Sequence, residues 1–362
     1  MRVVELAAER DDLHAFVVID HDYFPVCAGG TRMLADVAVP EVARLARAMT
    51  WKFAACRIPY GGAKAGVRFR GGDRAAVVAA YRRALEPHRE VFRTGPDMGT
   101  SPHDFLDGSE DPLPLWARTH EGLGMDDLAT GHGVKAAAEA ALAHLGRGLA
   151  GAAVAIEGFG KVGAGAARAF ERAGASVVGV STVAGLVADP DGLAVEELIA
   201  LRDRYGDRLV DHAGLPARPR EELFGLDCDV LVPGARPDSI TAEVAHRVRC
   251  AVVAPAANAP YHADAIEILR RRGIVGVPDF IANAGGVHLY VSVTNQDTPD
   301  TALAVIEQKI RDAVAKTLAT ADEHAITPLA AALHDGRAYF AQATGAPDEA
   351  LDQLFAVTPA IA

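Results

Sequence analysis

The spacing of apolar residues divides the first third of the chain into strands and helices. His14–His21 (HAFVVIDH) is a short β-branched run and predicts a strand. Val42, Leu45, Ala46, Met49 and Phe53 recur at steps of three and four, so Val39–Cys56 predicts an amphipathic helix. Pro40 fits its first turn, where a missing N–H leaves nothing unpaired. Phe24–Met33 holds a Gly-Gly pair between apolar residues, Ile58–Phe69 (IPYGGAKAGVRF) predicts a turn feeding an apolar strand, and Asp73–His88 predicts a second helix. Asp111–Gly124, with Pro112 and Pro114, reads as a connecting segment.

Beyond Gly133 the pattern changes. Ala-rich Val134–Arg147 predicts a helix. A strand (Ala152–Ile156), a helix (Val162–Ala173), a strand (Ser176–Ser181) and a helix (Val195–Tyr205) follow, then strands at Val230–Val232, Cys250–Ala254 and Ile274–Val277. Strands alternating with helices through short links predict an α/β fold, a doubly wound parallel sheet with helices on both faces. From about Glu307 to Ala362 the chain reads as mostly helical.

A length of 362 residues suits two domains. The formal net charge of −12 argues against a nucleic-acid partner, which needs a basic face for its phosphates. No apolar run approaches the length of a spanning helix, so no membrane partner is expected. The start MRVVELAAERDD has no apolar signal region, and a cytoplasmic protein is the expectation. Cys27, Cys56, Cys228 and Cys250 lack metal-ligand spacing and read as reduced, so no metal is expected.

Gly158-Phe159-Gly160-Lys161-Val162-Gly163 directly follows the strand AVAIE and opens a helix. Gly158 permits the tight turn, Gly160 lets backbone N–H groups approach a pyrophosphate, and Gly163 lets helix and strand pack closely. In that context the motif predicts a dinucleotide site. The second strand ends in Ser181-Thr182, where NAD-preferring sites usually carry a carboxylate for the ribose. Two neutral hydroxyls leave NAD and NADP both open.

Three further segments carry charges in unusual settings: Met49-Thr-Trp-Lys52 at the end of a helix, Pro59-Tyr-Gly-Gly-Ala-Lys64 before an apolar strand, and Thr94-Gly-Pro-Asp97-Met-Gly-Thr100 in a Gly-flanked loop. A lysine in an apolar strand is expensive to bury. These segments, with GGTRM (Gly29–Met33), ATGHGV, EGFGKVG and PDFIANAGGV, resemble the glutamate/leucine/phenylalanine/valine dehydrogenase family in motif and in order, over about Cys27 to Val287.

The resemblance implies an N-terminal substrate and oligomerisation domain over residues 1–133, a Rossmann domain over 134–328, and a helical tail, 329–362, returning to the first domain. It implies a homo-oligomer and NAD(P)-dependent oxidative deamination of an L-amino acid to the 2-oxo acid and ammonia. Lys64 matches the catalytic lysine that activates water, and Asp97 the aspartate that moves protons at the amino nitrogen. Lys52 matches the lysine that holds the α-carboxylate, Gly29 and Gly30 the turn beside it, and Asn283 an asparagine near substrate and nicotinamide. Thr130 and Asn258 fall where the family contacts the nicotinamide end. A lysine can act as the base if it is neutral, and a nearby cation such as Lys52 together with partial burial would favour that.

Ala28 stands where glutamate-specific relatives carry a lysine for the side-chain carboxylate, and Gly95 is small where leucine-type members carry Ala. Both leave room, so a bulky apolar or aromatic side chain is the expectation, closest to the leucine/phenylalanine-type members. Tyr290 falls near the side-chain pocket and could donate a hydrogen bond to a polar group of the substrate. An unusual amino acid, or a nucleotide-binding regulator without catalysis, are the alternatives. His132 reads as a packing or capping neighbour at a helix start.

Overall fold

The computed structural model describes residues 1–6, 13–106, 108, 113–293 and 296–356. Its described residues divide into two compact units: those within 1–117 together with 333–356, and those within Arg118–Ala332. The division falls after Ala117, not after Gly133 as the sequence suggested.

The first unit is built on a five-stranded sheet. Its strands are β1 (Arg2–Leu6), β2 (His14–Ile19), β3 (Cys27–Leu34), β4 (Gly61–Arg68) and β5 (Phe92–Pro96), in spatial order β1-β2-β4-β3-β5. β3 runs parallel to β4 and β5, while β1–β2 and β2–β4 are antiparallel. Lys64 therefore lies inside a strand, one step further into regular structure than the sequence placed it.

Alternation along the strands sorts side chains between two cores. Ala63, Ala65 and Val67 of β4 pack with Val77, Ala80, Tyr81 and Leu85 of α2 (Arg74–Leu85). On the opposite face Phe16 and Val18 pack with Val42 and Ala46 of α1 (Val39–Ala55). Val18 is the register partner of Lys64 and Phe16 that of Gly66, so Lys64 belongs to the α1 face. α1 sits close on β4, because a Cβ at Gly62 would lie 2.2 Å from the Ala46 carbonyl. Its position is fixed by polar ties. Buried Asp20 accepts hydrogen bonds from Arg47 (2.7 Å) and Thr50 (2.6 Å), and Trp51 Nε1 donates to the Leu354 carbonyl (2.7 Å).

The second unit opens with a short hairpin, β6 (Thr119–His120) and β7 (Leu123–Gly124), and then α3 (Met125–His144). The sheet strands follow as β8 (Ala153–Glu157), β9 (Ser176–Thr182), β10 (Gly185–Ala188), β11 (Val230–Pro233), β12 (Val252–Val253) and β13 (Val275–Gly276). Their order is β10-β9-β8-β11-β12-β13. All pairings are parallel except β9–β10, an antiparallel hairpin that the sequence reading did not anticipate. Helices α4 (Lys161–Arg172), α5 (Val195–Tyr205), α6 (Ala242–Arg247) and α7 (Ala263–Arg271) link these strands. After them come α8 (Asp279–Ala282), α9 (Gly285–Val291) and the long α10 (Pro299–His324). Two C-terminal helices, α11 (Pro328–Thr344) and α12 (Asp348–Phe355), complete the described chain.

α3 begins nine residues before the predicted Val134. The sequence reading starts this helix only beyond Gly133, but Gly131 and Gly133 both lie in the helix interior. A Cβ at Gly131 would stand 2.4 Å from the Ala166 amide nitrogen and one at Gly133 would stand 2.6 Å from Ile310 Cδ1. The glycines serve close helix packing rather than a turn, which offsets their poor helix propensity. His132 is accordingly inside α3, where its Nδ1 lies 2.6 Å from Glu307 Oε1 of α10. Among the described residues no helix is long and apolar enough to cross a membrane, and no group of His, Cys, Asp and Glu could hold a metal ion.

Candidate active site

In the first unit, β3, β4 and β5 bring together residues that are distant in sequence. Lys64 on β4 is buried, and its Nζ lies 3.0 Å from Oδ2 of Asp97, the residue after β5. Arg32 on β3 donates from Nε to the same oxygen at 3.1 Å, and from Nη1 to Glu41 at 2.5 Å. Two cations thus hold one carboxylate. Burial alone would raise the Asp97 carboxyl, but Lys64 and Arg32 override it and hold the group at about 2. The Thr100 hydroxyl accepts from the Asp97 amide at 2.9 Å and donates to the Thr31 carbonyl at 2.9 Å, which fixes the loop onto β3.

Gly30 supplies the space beside this pair. A Cβ there would lie 2.7 Å from the Pro96 carbonyl, 3.0 Å from Asp97 Cβ and 3.2 Å from Lys64 Nζ. At Gly29 a Cβ would overlap the Ala63 carbonyl at 1.7 Å and lie 3.4 Å from Met49 Cγ of α1. Gly30 pairs with Gly95 and Ala28 with Arg93 in the β3–β5 register, so Ala28, Gly30, Gly95 and Asp97 share the α1 face. Lys52 is buried in the last turn of α1, where the helix C-terminus favours a cation. The charged group in contact with Lys64 is the carboxylate of Asp97. Arg32 was not singled out from the sequence, although its place two residues beyond Gly30 on a strand puts it on the same face.

In the second unit, the glycine motif turns from β8 into α4. Gly158 has a φ of +86°, a conformation natural only to glycine, and its N–H donates to the Ser181 carbonyl at 3.0 Å. A Cβ at Gly163 would stand 2.0 Å from the Gly158 carbonyl. At Gly160, the N-cap of α4, a Cβ would meet nothing within 4 Å, and no side chain caps the helix. Open space over uncapped N–H groups fits a pyrophosphate, with the exposed Lys161 adding positive charge. Phe159 is buried and Val162 half-buried, so both support the turn from beneath. The Thr182 hydroxyl is committed to the chain, donating to the Asp207 carbonyl at 2.6 Å and accepting from the Ala184 amide at 3.1 Å. Ser181 is buried beside it.

The other second-unit residues gather beyond the carboxyl ends of the parallel strands, where open α/β sheets bind ligands. Asn283, after α8, donates from Nδ2 to Asn258 Oδ1 at 2.9 Å and to the Ala257 carbonyl at 3.1 Å. Gly285 lets α9 press against α3, since a Cβ there would lie 1.8 Å from the Ala129 carbonyl. The next glycine, Gly286, faces the Thr130 hydroxyl and the Asp126 carboxylate; a Cβ would lie 3.3 Å and 3.0 Å from them. Burial first, and then Asp127 beside it, push the Asp126 carboxyl up to about 7, against the pull of Lys161. Tyr290 on α9 is half-buried, and its hydroxyl is raised by burial and then by Asp126 and Asp127. Asp126 escaped the sequence reading; its signal was a position one helical turn before Thr130.

The model of the Glutamate/Leucine/Phenylalanine/Valine dehydrogenase family matches residues 122–346, and that of the family's dimerisation domain matches residues 2–105. Glutamate dehydrogenase A2 of Halobacterium salinarum is 35% identical over 72% of this chain and 66% of its own length. The chain thus spans about two thirds of that relative. Glutamate dehydrogenase of Thermotoga maritima is 36% identical over 79% of this chain and 74% of its own. Among solved structures, the hetero-hexameric glutamate dehydrogenase of Thermus thermophilus in a Leu-bound form superposes with a TM-score of 0.77 at 26% identity, covering 98% of this chain and 88% of the other. With the Lys64–Asp97 pair on one sheet and the glycine turn on another, these matches establish that the chain belongs to the glutamate/leucine/phenylalanine/valine dehydrogenase family.

Proposed function

We propose that the protein catalyses the reversible oxidative deamination of an L-amino acid to the 2-oxo acid and ammonia, with NAD or NADP as cofactor. The observation that carries this reading is the buried contact between Lys64 and Asp97 beside the side-chain-free face of Gly30. Nicotinamide dinucleotide, when bound, supplies the acceptor for the hydride that leaves Cα. The Gly158–Gly163 turn and the first N–H groups of α4 hold its pyrophosphate, and Thr130, Asn258 and Asn283 orient the nicotinamide end.

The chain's own groups handle charge and protons. Lys52 pairs with the substrate α-carboxylate. Asp97, kept ionised by Lys64 and Arg32, accepts a proton at the amino nitrogen. Lys64 orients the attacking water and stabilises the oxygen charge that develops on the carbinol carbon. The 3.0 Å contact with Asp97 gives the lysine proton a direct path. Ala28 and Gly95 leave room for a bulky apolar or aromatic side chain. The match to a dimerisation domain supports a homo-oligomer, checked by light scattering of the purified protein.

The test is absorbance of reduced nicotinamide at alkaline pH over a panel of L-amino acids, with NAD and NADP in separate wells. Turnover of at least one amino acid that disappears in Lys64→Ala supports the reading. Cofactor binding without turnover of any amino acid removes it.

A further inference from the structure

In the first unit the charges around Asp97 extend one residue beyond its contact with Arg32. The Arg32 guanidinium is shared by two carboxylates: Nε donates to Asp97 Oδ2 at 3.1 Å and Nη1 to Glu41 Oε1 at 2.5 Å. The three residues come from three elements. Glu41 lies in the first turn of α1, Arg32 in β3, and Asp97 just beyond β5. Thr31 of β3 is the register partner of Pro96 of β5, so the next residues, Arg32 and Asp97, fall side by side. α1 is a fixed support for Glu41, because Asp20 holds both Arg47 and Thr50 of that helix. An arginine gripped through two of its nitrogens keeps one orientation of its plane, which a lysine in its place would not.

This arrangement acts on Asp97 in two ways. The first is orientation. Arg32 donates to Oδ2, the oxygen that also lies 3.0 Å from Lys64 Nζ. A guanidinium free of Glu41 would tend to span both oxygens of the carboxylate, the common geometry of an arginine–carboxylate pair. Held by Glu41, it sets the rotation of the carboxylate through one oxygen and leaves Oδ1 for a substrate group. The second is charge. Lys64 and Arg32 balance Asp97 and Glu41. An arginine does not give up its proton, so Asp97 keeps a counter-ion while Lys64 exchanges its own. Among the described residues, the cations that act on Asp97 are Lys64 of β4 and Arg32 of β3, and the anions that act on Arg32 are Asp97 and Glu41. Lys52 lies at the other end of α1 from Glu41.

We propose that Glu41 and Arg32 are positioning residues of the reaction: Glu41 orients the Arg32 guanidinium, and Arg32 turns the Asp97 carboxylate so that one oxygen meets the amino nitrogen of the substrate while the other is shared with Lys64. The inference rests on the deamination reading above and extends it to two residues that act through Asp97 rather than on the substrate.

The test is a double-mutant cycle read in kcat, KM and the pH profile of kcat/KM, with the amino acid that the wild-type protein turns over fastest. The Glu41 side chain is 33% exposed, so Glu41→Gln should fold with a Tm close to that of wild type. It should lower kcat by about 10-fold, the scale of a misplaced reacting group, and leave KM within about 2-fold. Arg32→Lys keeps the charge and loses the fork, so its kcat should fall by a similar factor with the pH profile in place. Arg32→Gln removes the charge as well and leaves Lys64 as the sole cation on Asp97. The rising limb of kcat/KM should then move to higher pH by about one unit. In the Arg32→Gln background, Glu41→Gln should change kcat by less than about 2-fold, because nothing is left for it to act through. A Glu41→Gln protein with the kcat of wild type overturns the inference and leaves the reaction standing. So does a loss in Glu41→Gln that persists in full without Arg32, which a purely structural tie between α1 and the sheet would produce. Should the Arg32 variants not fold, the kcat of Glu41→Gln decides alone. Absence of turnover of every amino acid by the wild-type protein removes the reaction and this inference together.

Discussion

Lys64 Nζ and Asp97 Oδ2 stand 3.0 Å apart on the α1 face of the first unit's sheet, with Arg32 Nε 3.1 Å from the same oxygen. Removing the lysine leaves the carboxylate half-clamped and takes away the group that meets the attacking water. Lys64→Ala should lower turnover by roughly 10³-fold, in the range of a lost general acid–base group. Nucleotide affinity, measured by titration of NADH fluorescence, should stay at the wild-type value, because the glycine turn belongs to the other unit.

The Asp97 clamp has a pH signature. Its folded value of about 2 lies below the ordinary 3.8, so ionised Asp97 stabilises the native state above the unfolded value. That contribution is complete at neutral pH and is lost as pH falls from about 4 to about 2. The difference corresponds to about 2 kcal/mol. Asp97→Asn should be destabilised by about that amount in urea unfolding at pH 7, since buried Lys64 and half-buried Arg32 lose the carboxylate they share. The deficit should shrink as the titration approaches pH 2.

Asp126 has the opposite sign. Its folded value, about 7, lies above the ordinary 3.8, so the protonated form is the one the fold favours. The stability it contributes is whole below pH 4 and is lost as pH rises through 7. Asp126→Asn should therefore unfold at a higher Tm than wild type at pH 8, by the equivalent of a few kcal/mol. The gap should close at pH 4. Scanning calorimetry without ligand at the two pH values checks it.

Two glycines of the nucleotide turn should answer the same substitution differently. At Gly163 a Cβ would stand 2.0 Å from the Gly158 carbonyl, so Gly163→Ala forces helix and strand apart and should cost about 1–3 kcal/mol. At Gly160 the space is open and φ is −78°, so Gly160→Ala should fold with an unchanged Tm. Its methyl would occupy the approach to the uncapped N–H groups, and NAD and NADP affinity should fall by 10-fold or more. Thermal melts beside nucleotide titrations separate the two effects.

Local pattern was enough for much of the architecture. Val195–Tyr205 and the start of α1 at Val39 coincide with the apolar periodicity, because one buried face must repeat at the helix period. The glycine turn, and the lysines and aspartate within their motifs, were likewise legible, since each chemical need falls on a short run of residues. Other features depended on contacts that no local run encodes. The sequence pattern starts the helix beyond Gly133, whereas Gly131 and Gly133 lie inside it with Ala166 and Ile310 pressed against them. The hairpin partner β10 and the burial of Thr182's hydroxyl follow from the way β9 ends, not from its composition. Lys64 meets Asp97 because the sheet register, and not chain proximity, sets its neighbours. Asp126 is a further case: as sequence it is an acidic residue in a helix's first turn, and only the packing of α9 on α3 brings it beside Gly286. Sequence determines which groups are present and the period of the elements that carry them. Tertiary packing determines which charges meet, because that depends on distances across elements far apart in the chain.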